Sequence, residues 1–273
     1  MIVNYKNIIG LLVVVILSSC GGNSNSNKTK ESEGTDINKS EITNEVRSYV
    51  YPLPTAFELA EMLNRIGASY ILELTNDALS VDKYFTEKSK ALNLGIYSAD
   101  LSYASTYNQT QATIDFLNAS RRLIEELDIA GAVDVDLVDK IQANENNKEV
   151  LVELLSTSFN DTYSYLNENN RAGVAVLVVA GTYVEGLYIA SHISEDTYSN
   201  KEIVAIIMKQ KEPLNKLVEI LKGFENDPIV SDVLTDLVRL QAAYEGVTSE
   251  SIKESNLKAI ADEVLAIRTK MIQ

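Results

Sequence analysis

The chain has 273 residues, 45% of them apolar, a formal net charge of −15 and a single cysteine. One cysteine excludes an internal disulfide and a cysteine metal cluster. The acidity disfavours nucleic acid and anionic lipid as partners, and its simplest meaning is solubility.

At the N-terminus, Lys6 followed by the apolar stretch Ile8 to Leu17 has the charged and hydrophobic regions of an export signal, residues 1–19. "LSSC", Leu17 to Cys20, resembles the lipobox of bacterial lipoproteins. The resemblance implies cleavage before Cys20, a thioether-linked diacylglycerol on its sulfur and an acylated amine, so that palmitate-type chains anchor the protein to a membrane. The other reading is a transmembrane anchor. The apolar stretch is too short for it, since crossing about 30 Å of hydrocarbon takes about 20 helical residues. Two or three acyl chains, by contrast, are enough for stable anchoring. Loss of Lys6 with the leader takes the charge of −15 to −16. Residues 20–48, rich in Gly, Ser, Asn and Lys, read as a flexible tether because they offer little apolar surface to offset the entropy of ordering.

Residues 49–273 carry apolar side chains at three- and four-residue spacing, with only four prolines in the whole chain. That pattern predicts an all-α domain, a bundle of about eight helices. The first opens at Pro54 or Thr55 and runs to about Leu74. Others cover about Val81 to Tyr107, Asn108 to Ile129, Val135 to Ala143 and Lys148 to Leu166. Next comes "VAVLVVAGTYVEGLYIASHI", Val174 to Ile193, apolar except near its end. A membrane span would bury Glu185 in lipid at high cost, so the run is read as the central helix of a soluble bundle. A stretch from Lys201 should kink or restart at Pro213. Helices from Pro228 to near Gly246 and from Ser255 to Ile272 complete the chain. In the last, Leu257, Ile260, Val264, Ile267 and Met271 form a core-facing stripe.

Two segments align without a gap. "GIYSADLSYAS", Gly95 to Ser105, and "GTYVEGLYIAS", Gly181 to Ser191, share Gly95/Gly181, Tyr97/Tyr183, Leu101/Leu187, Ala104/Ala190 and Ser105/Ser191. One explanation is an internally duplicated helical pair; the other is coincidence between two amphipathic helices. Under the first, the copies pack as inner helices, with glycine and alanine allowing close approach.

Each copy brings an acid, Asp100 or Glu185, and tyrosines. Asp100, Tyr103 and Tyr107 share one helical face, and Glu185, Tyr188 and His192 another; Tyr97 and Tyr183 occupy matched positions. Buried acids need partners, here expected to be tyrosine hydroxyls and the imidazole. Three readings follow: a polar network that fixes helix register, a cleft lined by these eight residues that binds a small polar ligand, or acid/base hydrolysis by paired carboxylates. His192 has no nucleophile elbow beside it. "DVDLVDKIQANE" places Asp139 where a calcium loop needs glycine. No motif for a metal or other cofactor stands out.

With its lipobox and the segments "YPLPTAFELAEML" and "GIYSADLSYASTYN", the chain resembles all-helical lipoproteins of Bacteroidota of uncharacterised activity. The resemblance implies an envelope location and a helical domain, and nothing about mechanism. Gly21 after the anchor cysteine is compatible with outer-membrane retention. The leading expectation is a non-enzymatic lipoprotein that meets the membrane through its lipid and binds a protein or small polar ligand. A hydrolase using Asp100 and Glu185 is the alternative.

Overall fold

In the computed structural model, the described residues are 56–134, 136–144, 147–194, 197–248 and 251–273. The leader, Cys20, the tether and the expected helix start at Pro54 or Thr55 lie outside them. Ten α-helices and no strand occur among the described residues: α1 Ala56–Arg65, α2 Glu87–Thr106, α3 Thr110–Glu126, α4 Leu137–Ala143, α5 Lys148–Glu168, α6 Ala172–His192, α7 Lys201–Lys209, α8 Lys211–Lys222, α9 Ser231–Ala243 and α10 Glu254–Met271. The all-α expectation holds. Ten helices replace about eight partly because the stretch from Lys201 divides at Gln210, where Pro213 has no N–H to offer the carbonyl of Lys209.

The first helix stops at Arg65, well short of Leu74. Gly67 adopts φ +80, and the N–H groups of Gly67 and Ala68 close on the carbonyls of Asn64 and Leu63, a Schellman turn. The segment that follows is irregular apart from 3-10 turns at Leu72–Leu74 and Ala78–Lys83. α2, α3 and α5 end in the same turn without glycine, through left-handed Asn108, Asp128 and Asn170. Asn and Asp tolerate that conformation better than other side chains.

α6 is the hub. It packs against α1, α2, α5, α7, α8 and α10, and buried residues run along it from Val174 to Ser191. By length and composition it is apolar enough to cross a membrane, yet most of that stretch is covered by the rest of the fold. An all-round apolar helix finds neighbours around most of its circumference here.

The α2–α6 crossing is the most extensive helix contact in the fold. A Cβ on Gly95 would lie 2.0 Å from the Val178 carbonyl oxygen, and one on Gly181 would lie 2.0 Å from that of Leu92. Val178 precedes Gly181 by three residues, as Leu92 precedes Gly95. The aligned glycines therefore face each other's helices in a local two-fold arrangement. Thr182 Oγ1 adds a contact 3.1 Å from the Gly95 carbonyl oxygen.

Candidate functional site: a sealed carboxyl network and a separate cavity

Close approach at the glycines carries the helices' acids into the interior. Asp100 on α2 and Glu185 on α6 are both 0% exposed. They are offset by one position, because Glu185 aligns with Ala99. Their partners are not tyrosine hydroxyls, which corrects the expectation. Glu185 accepts two hydrogen bonds from Arg268 of α10, from Nε at 2.6 Å and Nη2 at 2.8 Å. Nη2 also reaches the Leu74 carbonyl oxygen at 3.1 Å. Asp100 Oδ2 accepts the Asn76 backbone N–H at 3.0 Å.

Asp100 Oδ1 finds no donor, and the charge of Glu185 acts on Asp100. Two neighbouring buried carboxylates repel, which favours a proton on one of them. Burial, reinforced by the negative charge of Glu185, pushes Asp100 well above the usual carboxylate range. Burial raises Glu185 too, but Arg268 and the Asp100 proton pull it back. Asp100 is therefore the acid and Glu185 the anion, paired with a charged guanidinium.

The other residues from the same faces complete the arrangement. The Arg268 guanidinium sits 4.2 Å above the Tyr188 ring, and the His192 ring lies 4.4 Å beyond. Burial holds His192 below the usual imidazole value, and its Nδ1 lies 2.9 Å from the Tyr188 carbonyl oxygen.

On α2 the tyrosine hydroxyls go to the backbone of the irregular segment. Tyr97 donates to the Asp77 carbonyl at 2.9 Å, and Tyr103 accepts the Ile71 N–H at 2.9 Å. The rings of Tyr103 and Tyr107 meet edge-on at 5.0 Å. Asn76 Nδ2 donates to the Tyr84 hydroxyl at 2.9 Å, and Asn93 Nδ2 to the Met271 carbonyl at 2.7 Å. An irregular buried backbone needs side-chain partners, and α2 supplies them.

Tyr183 stands apart. Its hydroxyl donates to the Gln210 carbonyl at 3.0 Å, and it is the one of the eight candidates that lines a cavity of about 650 Å³. α1 to α6 and the α7–α8 junction form the wall. Leu94, Leu101, Leu117, Phe159, Val178 and Val179 make it mostly apolar, with hydroxyls from Ser98, Ser102, Ser120 and Thr182 between them. Glu58, Arg121, Glu125, Asp134 and Asp139 line it with exposed side chains, so it opens to solvent. Neither Asp100 nor Glu185 lines it.

Sequence reasoning missed Arg268 and the cavity. Arg268 had a signal: it falls four residues after Val264 and three before Met271, inside the apolar stripe. The cavity had none, because its wall is assembled from widely separated segments. Among the described residues no group of three or more His, Cys, Asp or Glu could hold a metal ion. Comparison with protein-family models, curated proteins and solved structures finds no match to this chain.

Proposed function

We propose that this is a lipid-anchored envelope protein whose helical domain binds a small molecule in the cavity and performs no chemistry on it. The anchor rests on "LSSC" and Cys20. Binding rests on one observation, the cavity of about 650 Å³. Well-packed interiors leave few voids larger than a water molecule, whereas ligand sites span roughly 300–1,000 Å³. The competing hydrolase reading gains little from the geometry, since its two acids are at 0% exposure and Arg268 occupies both oxygens of Glu185.

The test is native mass spectrometry of the full chain, purified without denaturant, beside Ser98→Phe, which places a ring in the cavity. Wild type should carry an added non-covalent mass that the variant lacks. A ligand-free wild type, with Ser98→Phe simply more stable, would mean an unfilled packing gap and end the binding proposal. For the anchor, Cys20→Ser should abolish the acyl mass and either release the protein from the membrane fraction or leave it as unprocessed precursor; a mature protein cleaved before Cys20 without acyl mass in the wild type would end the idea.

A further inference from the structure

The chemistry of the wall says what kind of molecule fits, given that the cavity is a binding site. Among the described lining residues Arg121 is the only cation; it is exposed and already has Glu125 at 3.6 Å. The other charged groups of the wall are Glu58, Glu125, Asp134 and Asp139. A carboxylate or phosphate would enter past acids and find no buried cation among the described residues of the wall to replace its water, which is expensive for a charge. Fatty acids and phospholipid headgroups are therefore poor occupants.

The interior does offer hydrogen bonds to a neutral group. Ser98 and Ser102 donate their protons to the Leu94 and Ser98 carbonyls at 2.7 and 2.8 Å, which leaves their oxygen lone pairs as acceptors. Ser120 differs. It is 5% exposed, its hydroxyl has no partner, and it lines the cavity. A buried hydroxyl without a partner is costly and is satisfied if a ligand supplies one. At about 30 Å³ for each water- or methylene-sized group, a volume of about 650 Å³ has room for roughly 20 such groups.

We infer that the cavity takes a neutral lipophile bearing a hydroxyl-type group, which the unpartnered Ser120 hydroxyl receives among the apolar side chains of α2, α3, α5 and α6.

The experiment uses the full chain carrying Cys20→Ser and the neutral fluorescent probe N-phenyl-1-naphthylamine. The competitors are tetradecan-1-ol and myristate, which share a chain length and differ in the head. At pH 8 the alcohol should displace the probe at least tenfold more effectively than the acid. Ser120→Ala should weaken the alcohol about fivefold, the worth of one hydrogen bond. Ser98→Phe, or Ser158→Phe on α5 should the first misfold, should abolish probe binding without loss of helical signal.

If myristate competes as well as the alcohol and the filling variants still abolish binding, the ligand class is wrong while the cavity remains a binding site. If no probe binds, or binding survives both filling variants, the cavity reading fails as well.

Discussion

At Asp100, Glu185 and Arg268 two carboxyls and one guanidinium are buried away from bulk solvent, so the charge state of each bears on the others. Arg268→Ala would leave Glu185 buried without its cation and should cost about 3–5 kcal/mol in urea unfolding. Glu185→Gln should cost less than Glu185→Ala, because the amide still fills the site and its oxygen can still accept from Arg268. Equal losses would mean that only the charge of Glu185 matters and that its hydrogen-bonding shape does not. Asp100 also gives the fold a pH dependence. Its native pKa is raised above the ordinary aspartate value of 3.8, so above about pH 4 the native state keeps a proton that the unfolded chain releases. Stability from this site therefore falls as pH rises, by at most about 1.4 kcal/mol per pH unit until the native pKa is reached. Asn mimics a protonated Asp, so the stability of Asp100→Asn relative to wild type should grow between pH 5 and pH 8. Parallel pH profiles would refute the proton on Asp100. The acids were legible in the sequence as a pair needing partners. Their true partners were not, because no sequence spacing ties Arg268 to either acid, and the Asn76 N–H belongs to the gap between the first two expected helices.

The close crossing of α2 and α6 depends on two hydrogen atoms where other residues would place a methyl group. Gly95→Ala and Gly181→Ala would each drive a Cβ into a backbone carbonyl at 2.0 Å. Each should destabilise by about 1–3 kcal/mol or more, as overpacking does. Because both push at one crossing, the double variant should cost less than the sum, and strict additivity in a double-mutant cycle would show that the two sites are independent. At this scale the sequence was most informative where a run was long and strongly patterned. The hub α6 and the late helices stood out by their apolar spacing. The premature end of α1 did not, since residues after Gly67 keep an apolar spacing that also suits a folded irregular segment. The matched glycines were legible as a resemblance, but their reciprocal placement needed the third dimension.

Across the whole molecule, one apolar helix touches most of the others, while the cavity leaves part of its surface facing open space rather than side chains. A core organised this way gains cooperativity from its hub and keeps room for an occupant beside it. The hub also has a life before folding. If the leader directs export, α6 passes through the translocon as an unfolded stretch of 21 residues, apolar enough to be read as a span. Glu185 then has a second role, because a central charge costs roughly 2.5–3.5 kcal/mol on the insertion scale. Glu185→Leu in the Cys20→Ser background should make α6 a stop-transfer segment and leave the chain integrated in the inner membrane, resistant to carbonate extraction. Full release of that variant would show that Glu185 plays no part in export. The residue that binds Arg268 in the folded state would thus be the one that lets the chain reach the compartment where it folds.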